Sequence, residues 1–354
     1  MPTIAYAVQS PASALAPILF NRAAMGESDV SIDILYCGVC HTDLHAARGD
    51  WPDVRYPLVP GHEIVGRVNA VGRSVSRFKV GDIVGVGFMI GSCKRCAPCH
   101  VGAEQYCERG FTKTFGGNVL GGGENTYGGY ATDIVVDQSF VLAVRHDHTQ
   151  LAAAAPLLCA GITVWSPLRH WNIGYGNSVG VIGIGGVGHM GVKLAAALGA
   201  RVVAFTTSEA KRNDALALGA HEVVVSQQPE EMAGQANSLD LILDTVAAPH
   251  DLNQYLQLLR RDGTLVLLGL SPQPHPSPAV PLLAIKRAAI AGSAIGSIAE
   301  TQDMLNFCAE KRIVATTETI HMQDVEAAFD RMLRGDVKYR FVIDMASLKN
   351  GVVP

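Results

Sequence analysis

Four cysteines lie within a fifteen-residue segment of this chain, at Cys93, Cys96, Cys99 and Cys107. Two-residue gaps let neighbouring thiolates converge on one tetrahedral ion, and Cys107 completes the set after a seven-residue gap. The spacing therefore predicts a structural zinc site with four sulfur ligands and no open coordination position.

Two other interpretations of the four cysteines are less favoured. A pair of disulfides requires an oxidising compartment, yet the first ten residues have neither the basic start nor the apolar core of a signal peptide. A zinc ribbon that binds nucleic acid normally separates its two cysteine pairs by about 15–20 residues. Here all four cysteines share one loop, so a structural zinc site in a cytoplasmic protein is expected.

Length and charge limit the remaining possibilities. A chain of 354 residues is long enough for two domains, each with its own core. Its 28 basic and 32 acidic residues give a net charge of -4, which argues against a surface that follows a phosphate backbone. Polar residues, glycine or proline interrupt each apolar run before the roughly 18 residues of a membrane span. Neither nucleic acid nor a membrane is an expected partner.

The composition changes twice along the chain. Residues 1–152 contain short runs rich in Val and Ile and punctuated by glycine, which predict a β-rich barrel with long loops. Residues 153–291 alternate Ala- and Leu-rich helical runs with compact apolar strands, which predicts a parallel sheet with helical crossovers and hence an α/β fold. Residues 292–354 resemble the first stretch, so we expect them to complete the first domain.

Within the middle stretch, strands are predicted over 178–184, 201–205, 239–246 and 264–268, and helices over 187–198 and 255–259. The first strand and helix enclose a glycine motif formed by Gly183, Gly185 and Gly188. In this context Gly183 makes the tight turn, Gly185 lets a pyrophosphate approach the backbone, and Gly188 lets the helix and strand pack closely. The helix N-terminus then faces the phosphate charge. The motif predicts a dinucleotide-binding domain.

The end of the second strand indicates which dinucleotide is bound. An NAD-binding domain carries an acidic residue there for the ribose 2′-hydroxyl, whereas this chain has Thr206 and Thr207 followed by Lys211 and Arg212. Hydroxyl groups and basic side chains suit a 2′-phosphate, so NADP is favoured, although Glu209 lies within the same segment. The alternative is an ordinary helix start with a solvated basic pair.

A second set of metal ligands is suggested by Cys40, His62 and Cys159, which are distant in sequence. Two thiolates and one imidazole leave a fourth zinc position open, and zinc bound in this way polarises an alcohol or carbonyl oxygen. Taken alone, a cysteine such as Cys159 in an apolar helix is more often part of the core. No second histidine follows His62 and Glu63 at helical spacing, which argues against a metalloprotease.

Several ordered motifs then resemble one family along nearly the whole chain. The motifs are GVCHTDLH at 38–45, PGHEIVG at 60–66, GSCKRCAPC at 91–99, GIGGVGHMGV at 183–192 and KYRFVIDM at 338–345. They are similar to zinc-dependent medium-chain alcohol dehydrogenases, and in particular to the cinnamyl alcohol dehydrogenase branch with its bacterial NADPH-dependent aldehyde reductases. The resemblance implies a GroES-like β-barrel catalytic domain over 1–152 and 292–354. It also implies a Rossmann NADP-binding domain over 153–291.

The resemblance also assigns roles to individual residues. It makes Cys40, His62 and Cys159 the ligands of a catalytic zinc, with Glu63 within reach of the metal and Asp43 orienting His62. Thr42 and His45 correspond to a proton relay between substrate oxygen and solvent. Cofactor-contacting positions correspond to Thr163, Gly183, Gly185, Gly186, Val187, Gly188, Thr206, Thr207, Lys211 and Arg340. Trp51, Ala294 and Ile295 fall at substrate-pocket positions.

These assignments predict a homodimeric enzyme with two zinc ions per chain that transfers hydride between NADP(H) and a primary alcohol or aldehyde. Aldehyde reduction is the favoured direction. Trp51 and Ala294 differ from the residues common in plant members, which leaves cinnamyl substrates open. The alternatives are a cinnamyl-alcohol-type dehydrogenase proper, a zinc-free quinone or enone reductase of the same superfamily, and a non-enzymatic NADPH-binding protein.

Overall fold

A computed structural model describes residues 2–51, 54–117, 125–271 and 273–350 of the chain. The chain forms two compact units, residues 1–159 with 296–354 and residues 160–295. The predicted domain boundaries, 152/153 and 291/292, lie a few residues before the boundaries of these units. The last four residues of the predicted catalytic domain, 351–354, lie outside the described residues.

The strands of the described residues are β1 (Thr3–Ala7), β2 (Ala16–Phe20), β3 (Asp29–Val39), β4 (Ile64–Val71), β5 (Ile83–Val86), β6 (Met89–Gly91), β7 (Thr112–Lys113), β8 (Asp133–Asp137), β9 (Leu142–Ala143), β10 (Ser178–Ile182), β11 (Arg201–Thr206), β12 (Glu222–Val225), β13 (Leu239–Asp244), β14 (Leu259–Leu267), β15 (Ala289–Gly292), β16 (Thr317–Ile320) and β17 (Arg340–Asp344). The α-helices are α1 (His41–Arg48), α2 (Ala97–His100), α3 (Leu151–Ala154), α4 (Ala160–His170), α5 (Gly188–Ala197), α6 (Arg212–Ala217), α7 (Pro229–Ala233), α8 (Asn253–Leu256), α9 (Val280–Ala284), α10 (Ile298–Lys311), α11 (Val325–Leu333) and α12 (Ala346–Asn350).

The first unit is built around a seven-stranded sheet with the order β16-β17-β3-β4-β5-β9, in which β8 also pairs with β3. The central strand β3 alternates buried Val30, Ile32 and Ile34 with partly exposed residues, because successive side chains of a strand point to opposite faces. It pairs antiparallel with both β4 and β17. The returning segment 296–354 therefore contributes two strands to the sheet that the N-terminal residues begin.

The second unit contains a six-stranded, wholly parallel sheet with the order β12-β11-β10-β13-β14-β15. Its inner strands β10, β11 and β13 are mostly apolar and mostly buried, as expected for strands that are covered on both faces. The strand order reverses between β10 and β13, and ligands of such sheets bind beyond the carboxyl ends of the strands at this point. The glycine motif follows β10 directly. The predicted alternation of parallel strands and helices is confirmed.

Several predicted elements differ in their limits. The helix predicted over 255–259 ends at Leu256, and Leu259 begins β14 instead, where it is fully buried and pairs with Leu239. The sequence of a short apolar run does not distinguish a helix from a strand. Here the pairing of Leu259 with Leu239 makes this residue part of a strand. The strand predicted over 178–184 ends at Ile182, because Gly183 turns the backbone with φ +84°.

No single helix in the described part of the chain is long and apolar enough to cross a membrane. The segments His148–Leu158 and Ala160–His170 pass the same test together by length and composition, but they are bent by 64° at their junction.

Candidate functional site

Asp43 connects the two segments that hold the predicted metal ligands Cys40 and His62. Its fully buried carboxylate accepts hydrogen bonds from the backbone N–H of Cys40 at 2.8 Å and of Gly61 at 2.9 Å. It also lies 3.1 Å from Nδ1 of His62. Since an ionised carboxylate only accepts, Nδ1 carries the proton and Nε2 of His62 is left for another partner. This arrangement is typical of a histidine that binds a metal.

Strand pairing brings these segments together. Cys40 follows β3 and caps α1, while His62 precedes β4, and these two strands pair with Cys37 opposite Ile64. Gly61 has φ +101°, a conformation that favours glycine, and a Cβ there would contact the sulfur of Cys37. Glycine at this position therefore permits the tight turn that aims His62 toward Cys40.

Cys159 completes the cluster from a distant part of the chain. It follows the short helical turn Ala155–Leu158, and its Sγ lies 4.0 Å from Sγ of Cys40. One donor atom from each of Cys40, His62, Glu63 and Cys159 lies within 4.8 Å of the others, and all four residues are buried. The predicted catalytic ligand set is thus brought together in the first unit.

The electrostatics of this cluster suit a divalent cation. The Sγ atoms of Cys40 and Cys159 share a hydrogen bond, which holds the pKa of Cys40 well below its ordinary value and the pKa of Cys159 well above it. Burial lowers the pKa of His62, but the Asp43 carboxylate and the Cys40 sulfur together outweigh this effect and raise the pKa well above its ordinary value. Two buried thiolates so close together repel each other unless a cation neutralises them. The donor set of two sulfurs and one imidazole nitrogen fits zinc with one open position.

Glu63 borders the same cluster. Burial raises the pKa of its carboxyl to about 7, against the opposing effect of Arg340. The Arg340 guanidinium donates to Oε1, whereas the buried Oε2 has no hydrogen-bond partner among the described residues. Gly38 makes room for this carboxyl, because a Cβ at that position would overlap Oε2. Glu63 therefore has an uncommitted oxygen beside the metal ligands.

Arg340 is the first residue of β17, and the next residue, Phe341, pairs with Val39 of β3. Although burial opposes its charge, its pKa is raised above the ordinary value by Glu63 and the thiols of Cys40 and Cys159. The sequence assigned Arg340 to the cofactor and did not reveal its contact with Glu63, which is 277 residues away. Its role at the cofactor stays a prediction.

The two residues of the predicted proton relay lie on α1. Thr42 is partly buried, and His45 is one turn further along the same helix. The Nδ1 atom of His45 lies 2.7 Å from a carboxylate oxygen of the exposed residue Asp50. The ring of Trp51, the predicted pocket residue of the first unit, lies 5.8 Å from that of His45. His45 is thus placed between a buried helix and solvent.

The four-cysteine loop gathers its sulfurs as the spacing predicts. Sγ of Cys93 lies 3.9 Å from that of Cys99, Sγ of Cys96 lies 4.0 Å from that of Cys107, and one donor atom from each residue lies within 4.8 Å of the others. The backbone N–H of Arg95 is the main cause that lowers the pKa of Cys93 to about 6. None of the eight cysteines, all of which the structure describes, forms a disulfide. The loop fits a tetrahedral zinc ion with four thiolates.

In the second unit the glycine motif forms the turn between β10 and α5. A Cβ at Gly188 would overlap the carbonyl oxygen of Gly183, so helix and strand are in close contact. A Cβ at the exposed Gly185 would meet nothing within 4 Å, which leaves its backbone open to a ligand. Gly186 and Val187 complete the turn, and Val187 is the N-cap of α5. The turn fits a dinucleotide pyrophosphate.

The segment after β11 divides the predicted phosphate-binding side chains into two groups. Thr207 and Lys211 are exposed, and the Lys211 ammonium has no ion-pair partner among the described residues. Thr206 is buried, and its hydroxyl accepts from the backbone N–H of Ser208 at 3.2 Å. The exposed pair is therefore better placed than Thr206 to meet a ligand.

Arg212 does not fit the predicted role. Its guanidinium donates to Glu209 at 2.6 Å, to Glu231 at 2.8 Å and to the carbonyl oxygen of Val223 at 2.5 Å. The first of these contacts engages the carboxylate of Glu209, which is the acidic residue that argued against NADP. No sequence pattern indicated Glu231, because it lies on α7 beyond the next strand.

The other predicted site residues of the second unit are Thr163, which is buried in α4, and Ala294 and Ile295, which follow β15. Ala294 is exposed and Ile295 partly buried. Their contacts with cofactor and substrate stay predictions.

Comparison with known proteins agrees with this architecture. Residues 26–146 match the alcohol dehydrogenase GroES-like domain, and residues 186–310 match the zinc-binding dehydrogenase family. The chain is 56% identical to aldehyde reductase YahK of Escherichia coli over 97% of both chains. It is 48% identical to NADP-dependent alcohol dehydrogenase C of Mycobacterium bovis over 97% of this chain and 99% of that one.

Solved structures give the same result. A cinnamyl alcohol dehydrogenase of Sorghum bicolor superposes with a TM-score of 0.93 at 40% identity over 98% of both chains. A cinnamyl alcohol dehydrogenase of Helicobacter pylori complexed with NADP(H) gives a TM-score of 0.90 at 38% identity over 98% of this chain and 99% of that one. The chain belongs to the zinc-dependent medium-chain alcohol dehydrogenases, in the cinnamyl alcohol dehydrogenase branch. The predicted GroES-like and Rossmann architecture is confirmed, and the protein is an oxidoreductase.

Proposed function

We propose that this protein is a zinc-dependent, NADP(H)-specific reductase of aldehydes that also oxidises primary alcohols. The buried cluster of Cys40, His62 and Cys159 is the observation that supports this proposal most directly, because it combines three zinc ligands with one open position. The names of the relatives from E. coli and M. bovis support the aldehyde and the NADP assignment.

When bound, zinc supplies Lewis-acid polarisation of the substrate oxygen, and the nicotinamide supplies or accepts the hydride. Asp43 holds His62 in the tautomer that leaves Nε2 for the metal. Glu63, with its uncommitted Oε2, is within reach of the same ion, and Arg340 keeps its other oxygen fixed. Thr42 accepts or donates the proton of the substrate oxygen, and His45 exchanges it with solvent beside Asp50.

The glycine turn binds the pyrophosphate of the cofactor. Lys211 and Thr207 bind its 2′-phosphate. The Arg212 contact keeps Glu209 from repelling that phosphate. Thr163 and Thr206 are the further cofactor positions of the second unit. The family resemblance supports substrate contact for Trp51, and a terminal carbonyl group is favoured over a ketone because a ketone brings a second substituent beside the hydride acceptor.

Each chain holds two zinc ions in this proposal, one at Cys40, His62 and Cys159 and one at the four-cysteine loop. Eight unpaired cysteines suit the reducing cytoplasm. The family resemblance supports a homodimer.

The proposal is tested by steady-state kinetics with a panel of aldehydes, ketones and both reduced cofactors. We expect aldehydes with NADPH to give the highest kcat/KM, and Cys40→Ser to abolish turnover while the far-UV spectrum is retained. Cys308→Ser, which alters a buried thiol with no place in either ligand set, is the matched control. A preference for ketones, or full activity of the Cys40→Ser variant, would overturn the assignment.

A further inference from the structure

A third group of metal-ligand side chains lies in the second unit, where the described function gives it no role. Asp244 ends β13, His250 follows in the next loop, and His275 lies in the proline-containing segment after β14. Strands β13 and β14 are parallel neighbours, so their following loops emerge at the same edge of the sheet. One donor atom from each of the three residues lies within 4.8 Å of the others.

The contact between Asp244 and His250 is incompletely satisfied. Oδ2 of Asp244, a residue that is 1% exposed, lies 3.1 Å from Nε2 of His250. Despite this distance, neither atom makes a hydrogen bond of acceptable geometry within the described part of the chain. Oδ1 of Asp244 accepts instead from the backbone N–H of Val246 at 3.1 Å. The contact with Asp244 raises the pKa of His250, so the pair is an ion pair when the ring is protonated and two facing acceptors when it is neutral.

The tautomer of His250 follows from its other nitrogen. Nδ1 lies 2.9 Å from the carbonyl oxygen of Ala248, and because a carbonyl only accepts, Nδ1 donates. The neutral ring then directs the lone pair of Nε2 at the carboxylate of Asp244. Two facing acceptors repel each other unless a proton or a cation lies between them. Asp244 has no lysine or arginine partner in the described residues that would supply the charge.

His275 favours a metal ion over a proton. Its ring lies 4.8 Å from that of His250 at 87°, and its Nδ1 lies 3.3 Å from the backbone oxygen and 3.4 Å from the backbone nitrogen of His250, which leaves Nε2 for a ligand. A proton between Asp244 and His250 needs no third donor, whereas a metal ion does. Histidine ligands of metals commonly donate their other nitrogen to a backbone carbonyl, as His250 does with Ala248.

We propose that Asp244, His250 and His275 bind a divalent transition-metal ion such as Zn²⁺, at a third site separate from the two zinc clusters of the first unit. Two imidazoles and a carboxylate suit Zn²⁺, Co²⁺ or Ni²⁺, with metal to ligand distances of about 2.0–2.2 Å for zinc. The bound ion ties the loops after β13 and β14 together. Its coordination is completed by solvent, which leaves the site exchangeable.

This site lies close to the glycine turn. The residue after Asp244 is Thr245, whose hydroxyl donates to the carbonyl oxygens of Ile182 at 2.7 Å and Gly183 at 3.0 Å. A metal ion on Asp244 therefore stiffens the strand end that supports the turn.

The test compares the zinc content of the zinc-replete protein after equilibrium dialysis against buffered free Zn²⁺. We expect the unmodified protein to bind one more equivalent than His275→Gln or His250→Gln, each of which should weaken this site by at least about tenfold. His275→Gln alters a half-exposed loop residue and should keep the fold. His321→Gln, an exposed histidine of the first unit, is the control and should keep the full metal content.

Thermal unfolding gives a second readout that does not depend on activity. Added Zn²⁺ should raise Tm in the unmodified protein and in the His321→Gln control, but less in His275→Gln, because the ion binds only the folded state. Equal zinc content and equal Tm shifts in the unmodified and His275→Gln proteins would show that the Asp244 and His250 contact is a protonated ion pair, and would overturn the proposal. The difference between these proteins is independent of how many ions the first unit holds.

Discussion

Among single residues, Asp43 has the largest structural influence on the metal cluster. It accepts from two backbone N–H groups and from His62, so one buried carboxylate fixes both the loop before α1 and the turn before β4. Removing its charge while keeping its shape separates this positioning role from packing.

We expect Asp43→Asn to weaken zinc binding at the Cys40, His62 and Cys159 cluster by about 10- to 100-fold. The amide N–H₂ group would face one of the three donors that the carboxylate now accepts from, and His62 would lose its fixed tautomer. The measurement is competition with a zinc chelator, followed by metal analysis. Asp33→Asn, which alters a carboxylate on β3 that accepts from Asn69, is the control. Unchanged zinc affinity in Asp43→Asn would remove Asp43 from this role.

Lys211 is the second residue with a specific prediction. A charge-assisted hydrogen bond is worth about 1.5–3 kcal/mol, so Lys211→Ala should lower kcat/KM with NADPH by about ten- to a hundredfold and leave NADH little changed. Added salt should reduce the NADPH preference of the unmodified enzyme, because Lys211 is exposed.

The control for this prediction is Lys311→Ala, which removes an exposed lysine from α10. A parallel loss with both cofactors in Lys211→Ala would mean that the lysine supports the fold of the segment and not the 2′-phosphate.

At the scale of elements, the four-cysteine loop is held largely by its own sulfurs. The short helices within it, including α2, bury none of their residues. Lys94 connects it to the neighbouring strand, with Nζ 3.0 Å from a carboxylate oxygen of Asp137. An element with so little apolar packing depends on its metal ion for order.

Cys96→Ser should therefore remove one zinc ion per chain, lower Tm by at least about 5 °C and open the 93–107 loop to proteolysis. The cluster at Cys40 should keep its zinc, because it lies in a different part of the first unit. Native mass spectrometry and limited proteolysis measure these effects. Ser92→Ala, which removes a hydroxyl 3.4 Å from Sγ of Cys99, is the matched control within the loop. A Cys96→Ser protein with unchanged metal content would contradict a structural zinc there.

At the scale of the whole molecule, the first unit depends on the return of the chain after residue 295. The Gln302 side chain exchanges hydrogen bonds with the backbone of Ala143 at 2.8 and 3.1 Å, and His146 lies 3.3 Å from the carbonyl oxygen of Ile313. These contacts join two segments that are more than 150 residues apart in sequence.

Burial lowers the pKa of His146 below its ordinary value of 6.5. The unfolded chain then binds a proton more readily than the folded one, so the stability contributed by neutral His146 is present above about pH 6.5 and is lost as the pH falls toward the folded pKa. We expect the free energy of unfolding to decline less between about pH 7 and 5 in His146→Gln than in the unmodified protein.

The measurement is urea unfolding at several pH values. His148→Gln, an exposed histidine two residues away, should follow the unmodified protein. If His146→Gln and His148→Gln show the same pH dependence as the unmodified protein, His146 does not link folding to pH.

The sequence by itself determined the features that depend on spacing within one segment. The four sulfurs converge because two-residue gaps in a single loop leave few other arrangements, and the glycine turn forms because Gly183 and Gly188 are needed wherever a strand passes so directly into a helix. Spacing within one segment also indicated Thr207 and Lys211 as cofactor-binding residues, and both are exposed in the turn after β11.

Only the tertiary structure decided the contacts between distant segments. Cys159 meets Cys40 across 119 residues because the helical turn Ala155–Leu158 packs against β3. Arg340 meets Glu63 across 277 residues because β17 pairs with β3. No pattern near any of these residues indicates either contact. Arg212 contacts Glu231 on a later helix in the same way, and no local pattern indicates this ion pair. The physical reason is that sequence spacing reports which side chains share one loop or one face, whereas strand order in the finished sheets determines which loops meet.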